Sequence, residues 1–209
     1  MKHELHVIST GSQFAPRFSE IVSAIHDHVD FIHIREKTWT AREHIMAIEL
    51  MLEGGVPLKK IIINDRVDVA IVSEAGGVQL ANHSLEVSVV RESFPLLKIG
   101  RSVHSVEEAL KAENEGADYL IYGHIFETAS KPGLEPRGLK QLGVLAQRMS
   151  IPVIAIGGIK PGNTPDVLKA GASGTAVMSG ILNAENPLKA VRAYKEKMRV
   201  EEEKNASSL

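Results

Sequence analysis

The sequence predicts a single (β/α)8 TIM barrel, an α/β fold in which eight parallel strands alternate with helices. Three observations favour this fold. Short runs rich in β-branched residues recur eight times along the 209 residues. Each run is followed by a longer segment of polar and apolar residues with helical periodicity. The runs themselves are apolar almost throughout, which is typical of parallel strands that are buried on both faces.

The predicted elements follow one another at regular intervals. The strands are 5–9, 30–35, 60–64, 77–80, 98–103, 117–123, 152–157 and 174–178. The helices are 18–28, 40–53, 86–94, 105–115, 138–149, 164–170 and 186–203. Ser105, three residues before Glu108, predicts a capping box at a helix start, and Gly116 and Gly171 predict helix ends. An open doubly wound sheet is the alternative fold, because strand order cannot be read from one sequence.

Length and composition indicate one globular domain, residues 1–209, with a polar tail from Glu201 that we expect to fray. The formal charge is -2 and the pI is about 6.5, so no nucleic-acid partner is expected. The absence of cysteine excludes disulfides, thiolate metal sites and cysteine nucleophiles. We find no signal peptide and no apolar run near the roughly 18 residues of a membrane span, so we expect a cytoplasmic protein with no membrane partner.

Polar side chains gather where the predicted strands end, which is where barrels bind their ligands. They are His33, Arg35 and Lys37 after the second strand, Asn64 and Asp65 after the third, Arg101, Ser102 and His104 after the fifth, and His124 after the sixth. Strand alternation would send His33, Arg35 and Lys37 to one side, where two cations could hold a phosphate or carboxylate. The alternative is a solvated strand end that pairs with Glu36 or Asp65.

Two glycine-containing turns, I-A-I-G-G-I (154–159) and A-V-M-S-G-I (176–181), follow the last two strands. Barrels commonly bind phosphate at this place, because glycine lets backbone amides approach an anion and a short helix after the turn directs its dipole there. The alternative is that glycine serves only the backbone conformation of a tight turn, as it often does after a strand. The pair of turns nevertheless predicts a phosphate site.

His124 follows Gly123 at the end of the sixth strand and precedes a polar stretch, 127–138, that could cover the pocket. An imidazole at this place could move protons near neutral pH. The alternative is a histidine that only bonds the loop. No two histidines have the spacing of a metal site on one helix, so no metal is expected.

Together these motifs resemble the thiamin phosphate synthase and thiazole tautomerase superfamily over nearly the whole chain. In the synthases the resemblance implies that Q-x-R-x-K on strand 2 and N-D after strand 3 hold pyrophosphate. An Asp after strand 4 completes the magnesium site, and G-G-I and a serine turn hold the thiazole phosphate. The matching positions in this chain are Arg35, Lys37, Asn64, Asp65, Ser102, Thr128, Ser130, Lys131, Gly158 and Ser179.

The chain departs from the synthase motifs at three places. The strand 2 Gln is His33, and the strand 4 motif G-x-H-x-G-Q-x-D reads G-V-Q-L-A-N-H-S, so that Ser84 replaces a metal carboxylate. The synthase motif after strand 6, G-P-x-[FY]-x-T-x-[TS]-K, has a proline where this chain has His124. A hydroxyl cannot replace the charge of a carboxylate beside Mg²⁺. The tautomerase branch is similar to this chain at three motifs, G-H-I-F-E-T, V-H-S and V-M-S-G. We therefore expect metal-free activity that survives chelation.

The tautomerase resemblance implies an isomerase of thiamine biosynthesis. It would aromatise a 5-ylidene carboxythiazole ethyl phosphate to 2-(2-carboxy-4-methylthiazol-5-yl)ethyl phosphate by proton transfer, with His124 as the catalytic residue. The cations Arg35 and Lys37 would face the carboxylate. The expected partner is a small phosphorylated thiazole carboxylate, and no cofactor is expected. The chain could also form a homodimer. The expected substrate-binding residues are Arg35, Lys37, Asn64, Ser102, Thr128, Ala129, Ser130, Lys131, Gly158, Met178, Ser179 and Gly180.

Two other functions remain as alternatives. The first is an active thiamin phosphate synthase, a transferase that would use Asp65 alone for magnesium. The second is a non-catalytic regulatory protein, which receives little support because the sequence has neither a helix-turn-helix nor a basic stripe.

Overall fold

The structure, a computed structural model, describes residues 2–206 and confirms the predicted barrel. Eight parallel strands close in chain order, with the last strand paired to the first. The strands are β1 (Glu4–Ile8), β2 (Phe31–Ile34), β3 (Ile61–Asn64), β4 (Gly77–Leu80), β5 (Ile99–Val103), β6 (Tyr119–Gly123), β7 (Val153–Ile156) and β8 (Gly174–Val177). Each predicted strand is present, and its ends differ from the prediction by two residues or fewer at either side.

Helices follow the strands on the outside of the barrel. They are α1 (Ala15–Ile25), α2 (Ala41–Glu53), α3 (Val67–Val72), α4 (Val87–Ser93), α5 (Val106–Asn114), α6 (Gly138–Ala146), α7 (Thr164–Lys169), α8 (Ser179–Leu182) and α9 (Pro187–Ala206). Short 3-10 turns occupy His26–His28 and Leu58–Lys60. Among residues 2–206, none of the helices is long and apolar enough to cross a membrane.

Helix α1 lies three residues earlier than predicted at both ends, and α6 ends three residues early. Two further helices differ from the sequence prediction. Helix α3 was not predicted, because six residues are too few to show helical periodicity and three of them are valine, a residue with higher strand propensity. Helix α9 continues through Ala206. The tail predicted to fray from Glu201 is thus helical to that point, and residues 207–209 lie outside the described part of the chain.

The helix starts use local capping bonds. The Thr40 hydroxyl accepts from the Glu43 amide while the Glu43 carboxylate accepts from the Thr40 amide, which closes a capping box at the start of α2. At α5 the amide of Glu108 donates to the Ser105 hydroxyl at 3.1 Å, as predicted. The Glu108 carboxylate, however, accepts from the amide of His104 at 2.7 Å, so the predicted box is not closed on Ser105 itself.

Side chains fill the barrel in layers, each supplied by alternate strands. The strand register defines three layers near the carboxyl ends of the strands. The mouth layer is Arg35, Ala81, Gly123 and Met178; the floor layer below it is Ile8, Asn64, Ser102 and Ile156; the middle layer is His33, Gln79, Ile121 and Ala176. The barrel therefore has a packed interior in which polar residues replace apolar ones near its mouth.

The opposite end of the barrel is closed by bonded charges. Asp30, just before β2, accepts hydrogen bonds from the Leu5 amide (2.9 Å), from Lys195 (2.7 Å) and from Lys2 (3.2 Å). Asp118, just before β6, accepts from the Ile99 amide. Each aspartate thus joins a strand to its neighbour in the barrel.

Candidate functional site

The structure brings most of the predicted site residues to the carboxyl ends of the strands. Arg35 lies in the mouth layer, and its amide donates to the Ser9 hydroxyl at 2.7 Å. Lys37 lies in the turn beyond β2 and is exposed, since the strand ends at Ile34. The predicted strand alternation therefore stops before Lys37. Neither cation has a salt bridge among the described residues, so both charges remain for a ligand.

The carboxylate of Glu36 does not neutralise these cations. It is buried and accepts a hydrogen bond from the Gly11 amide at 3.2 Å, in the loop after β1. The alternative pairing of the strand end with Glu36 is thus absent from the described structure. The loops after β1 and β2 are fastened to each other by this bond.

His33 points into the barrel interior and not to the mouth. Its Nε2 lies 2.9 Å from Nδ1 of His6, and Nε2 of His6 lies 3.1 Å from the Glu4 carboxylate. Burial lowers the pKa of both imidazoles from their usual range. Since Glu4 can only accept, both neutral rings carry their proton on Nε2, and Nδ1 of His33 is left as a buried acceptor.

Asp65 follows Asn64 at the end of β3 and adopts a left-handed backbone conformation with φ 68°. Aspartate tolerates this conformation better than most residues. Its amide donates to the Gln79 carbonyl at 2.9 Å, and its carboxylate lies 3.6 Å from Nε2 of His83. The turn therefore holds a partly exposed carboxylate beside Asn64, whose side chain belongs to the floor layer.

The loop after β4 closes on itself through Ser84. Its hydroxyl accepts from the Ala81 amide at 2.8 Å, which leaves the hydroxyl proton free. No group of three or more His, Cys, Asp or Glu residues that could hold a metal ion occurs among residues 2–203. Asp65 is thus the carboxylate that this part of the site offers.

Ser102 is half-buried in the floor layer, and its hydroxyl oxygen lies 3.0 Å from Nε2 of Gln79. Gln79 was not predicted as a site residue. The sequence carried a signal for it, since the alternation in G-V-Q-L places one polar side chain inside an otherwise apolar strand. The His104 imidazole, by contrast, contacts the backbone, since its Nδ1 lies 3.2 Å from the carbonyl oxygen of Gly123.

The segment after β6 borders an open cavity of about 670 Å³. Residues 127–129 and 131–136 line it. Ser130 donates its amide to the Thr128 hydroxyl at 3.4 Å, and Lys131 donates its amide to the Thr128 carbonyl at 3.1 Å. The Lys131 ammonium group has no partner among the described residues, so it adds a cation to the predicted binding loop, with Ala129 beside it.

His124 fastens this segment. Its Nε2 lies 3.1 Å from the Leu134 carbonyl oxygen, and its own carbonyl accepts from the Arg137 amide at 2.9 Å. The residue is 5% exposed. The geometry therefore matches the loop-bonding alternative more closely than that of a free general base.

The turn after β7 is packed so closely that only glycine fits. A Cβ atom on Gly158, where φ is 65°, would lie 2.5 Å from the Glu127 carbonyl oxygen and 2.8 Å from Cβ of Phe126. At Gly157 the corresponding atom would lie 2.3 Å from Cβ of His124. These glycines therefore let the loops after β6 and β7 lie against each other, whether or not an anion is bound.

The turn after β8 is supported by the last helix. Met178 precedes α8, which begins at Ser179 and has only four residues. A Cβ on Gly180 would lie 2.7 Å from the hydroxyl oxygen of Tyr194, which donates to the Ile159 carbonyl at 3.0 Å. Gly180 thus has a packing role that sequence reasoning did not foresee, because Tyr194 is distant in the chain.

Comparisons with known proteins agree with one another. A family model described as Thiamine monophosphate synthase matches residues 5–181. The chain is 38% identical to a thiamine-phosphate synthase of Pyrococcus furiosus, over 90% of this chain and 91% of the relative. It is 40% identical to one of Chloroflexus aurantiacus, over 88% and 86%.

Solved structures give the same result. The thiamine phosphate pyrophosphorylase of Pyrococcus furiosus has a TM-score of 0.80 and 34% identity, and the match covers 94% of this chain and 96% of that one. A 3-hexulose-6-phosphate synthase with a TM-score of 0.70 is 15% identical and shows the fold alone.

These comparisons confirm the resemblance to the superfamily but contradict the predicted tautomerase. The relatives that cover about nine tenths of the chain are named thiamine-phosphate synthase, which had been the alternative. The prediction of an isomerase was therefore wrong. It gave three departures, at His33, Ser84 and His124, more weight than the similarity of the whole chain.

Proposed function

Because this chain belongs to the thiamine monophosphate synthase family, we propose that it catalyses the synthase reaction, joining a pyrimidine pyrophosphate to a thiazole phosphate with release of pyrophosphate. One observation carries the proposal. The chain matches the synthases nearly from end to end, and Arg35, Asn64 and Asp65, which match their pyrophosphate-binding motifs, converge with Ser102 at one end of the barrel.

The reaction exchanges one bond for another. The C–O bond between the pyrimidine methylene and pyrophosphate breaks, the leaving pyrophosphate keeps the electron pair, and the thiazole nitrogen forms a C–N bond to the methylene carbon. Negative charge therefore grows on the leaving oxygen. Arg35 and Lys37 are cations without a salt-bridge partner among residues 2–203, which suits them to stabilise that charge.

The family implies Mg²⁺, and the residues at the mouth fit this ion with few protein ligands. Mg²⁺ in phosphate sites commonly takes one or two carboxylates together with substrate phosphate oxygens and water. Asp65 would be the carboxylate, with Ser84 contributing at most a neutral hydroxyl. When bound, the ion neutralises charge on pyrophosphate. The expectation of metal-free activity, which depended on the tautomerase interpretation, has no place in this proposal.

The thiazole phosphate would bind at the other side of the mouth. Gly158 and Ser179 belong to the turns after β7 and β8, and the loop with Thr128, Ser130 and Lys131 lies against the first of them. Lys131 would face the phosphate. In this proposal the two anions would bind on opposite sides of the floor layer, so that the reacting carbon and nitrogen would meet between them.

A direct assay tests the proposal. Purified protein is incubated with hydroxymethylpyrimidine pyrophosphate, thiazole phosphate and Mg²⁺, and thiamine phosphate is followed by chromatography. We expect product only when both substrates and Mg²⁺ are present. Pyrophosphate release without thiamine phosphate, or no consumption of either substrate under conditions in which a relative is active, would contradict the assignment.

A further inference from the structure

Gln79 occupies a special place inside the barrel, directly beneath the proposed site. It belongs to the middle layer, is 1% exposed, and touches the layers above through both its side chain and its backbone. The side-chain amide lies 3.0 Å from the Ser102 hydroxyl oxygen, and the main-chain carbonyl accepts the Asp65 amide at 2.9 Å. One buried residue thus contacts both Asp65, the carboxylate proposed for magnesium, and Ser102, a predicted substrate-binding residue at a position that matches the synthases.

We propose that Gln79 is a positioning residue that acts through Ser102: its amide nitrogen donates to the Ser102 hydroxyl oxygen and thereby directs the hydroxyl proton to an anionic oxygen at the mouth. A serine hydroxyl has one proton to donate and two lone pairs that accept. When a lone pair of Ser102 is taken by the amide, its proton is kept for a ligand. The choice of pyrophosphate as that ligand rests on the proposed function.

The surroundings of Gln79 favour this orientation of the amide over the flipped one. Its Oε1 and the Tyr119 hydroxyl both lie over Gly100, at 2.2 and 2.5 Å from the position that a Cβ of Gly100 would take. Neither atom has a hydrogen-bond partner among the described residues. Burial raises the pKa of Tyr119 well above its usual value, which keeps the phenol protonated. The neighbour of Oε1 over Gly100 is thus a hydroxyl that keeps its proton, while the amide nitrogen lies 3.0 Å from the Ser102 hydroxyl oxygen.

The middle layer also explains why this function falls to Gln79. The synthase motifs place Gln on strand 2 and His on strand 4, whereas this chain has His33 on β2 and Gln79 on β4. The layer keeps one residue of each type, on exchanged strands. His33 is held by His6 through its Nε2, so the donor to Ser102 comes from β4.

A double-mutant cycle tests the coupling. Binding of inorganic pyrophosphate with Mg²⁺ is measured by calorimetry for wild type, Gln79→Met, Ser102→Ala and the double variant. Methionine keeps the length of glutamine but donates no hydrogen bond. We expect each single variant to weaken binding about tenfold, and the double variant to be no weaker than Ser102→Ala alone.

Gln79→His provides the conservative rescue, because it restores the residue of the synthase motif and an N–H donor. It should bind pyrophosphate within about threefold of wild type. The melting temperature of each variant is measured in parallel. If Gln79→Met and Gln79→His lower the melting temperature equally, lost stability does not explain a difference in pyrophosphate binding between them. The KM for the pyrimidine pyrophosphate should rise with Gln79→Met and recover with Gln79→His.

Three results would overturn the inference: Gln79→Met that binds like wild type, single effects that multiply to about 100-fold in the double variant, or a wild type that does not bind pyrophosphate. If the wild type binds pyrophosphate but forms no thiamine phosphate, the proposed function is wrong. The double-mutant cycle would still test the coupling between Gln79 and Ser102, because it measures binding alone.

Discussion

The two ends of the barrel carry similar charged residues but use them in different ways. At the amino-terminal end, Asp30 is bonded to Lys2, Lys195 and a strand amide. At the carboxyl end, Arg35, Lys37 and Lys131 have no salt-bridge partner among residues 2–203. Since a bonded charge contributes to stability and a free one is available to a ligand, the comparison separates residues that hold the fold from residues that serve the reaction.

Two aspartates at opposite ends make the first test. Asp65→Asn should lower kcat for thiamine phosphate formation roughly 100-fold or more, because the carboxylate that would bind Mg²⁺ is lost while asparagine still tolerates the left-handed backbone. Asp30→Asn is the matched control and should leave kcat unchanged. Steady-state kinetics across a Mg²⁺ titration measures both. Equal losses in the two variants would contradict the division between the ends.

Two cations provide a second test. Arg35→Ala should reduce kcat/KM by about 10- to 100-fold, since a charge-assisted hydrogen bond to pyrophosphate is worth about 1.5 to 3 kcal/mol. Lys195→Ala removes a cation from the other end and should leave kcat/KM within about twofold. An unchanged kcat/KM in the Arg35→Ala variant would show that Arg35 does not bind pyrophosphate.

His124 sharpens the comparison at the mouth itself. His124→Ala removes the contact with the Leu134 carbonyl, so the loop after β6 should loosen and KM should rise several-fold, with a smaller change in kcat. Hydrogen exchange of residues 127–137 reports the loosening. A large fall in kcat at unchanged KM would show that the imidazole takes part in the chemical step.

Stability measurements complete the series for the amino-terminal end. Asp30→Asn should lower the free energy of unfolding by about 1 to 3 kcal/mol, because a strand amide and two ammonium groups lose a charged acceptor. Urea denaturation at pH 7.5 measures the change. The carboxyl-end variant Asp65→Asn should change it by less.

The buried imidazoles predict a pH dependence of stability. The folded pKa values of His6 and His33 lie below 6.5 because of burial, so unfolding takes up protons below that pH. Their contribution to stability is complete above about pH 6.5 and is lost as the pH falls toward the folded pKa values, by at most about 1.4 kcal/mol per imidazole and pH unit. His33→Gln should flatten this dependence between pH 6.5 and 5.5, as measured by urea denaturation. An unchanged slope would mean that other groups cause it.

The sequence predicted the barrel and most of the mouth, because apolar runs that end in charge mark the carboxyl ends of parallel strands. Arg35, Asn64, Asp65 and Ser102 follow directly from that pattern. Residues whose role depends on a distant partner could not be predicted in this way. Gly180 lies against Tyr194, and Nε2 of His33 is bonded to His6 on the neighbouring strand.

Substrate specificity was harder to predict than the fold. Ser84 and His124 are local departures from the synthase motifs, and sequence reasoning treated them as a change of reaction. The structure shows His124 in a contact with its own loop and Ser84 in a contact with the Ala81 amide. A substitution therefore identifies a different chemistry only when its side chain is free to meet the substrate.

The close packing of Gly157 and Gly158 against the loop after β6 also limits how this protein can evolve. Any side chain at either glycine would collide with His124, Phe126 or the Glu127 carbonyl, so neither position can drift by a single substitution unless the opposing loop moves too. Lineages that acquire new ligand preferences would have to vary the surrounding positions first. Two of the departures from the family motifs, at His33 and Ser84, do lie away from this interlocked pair of loops.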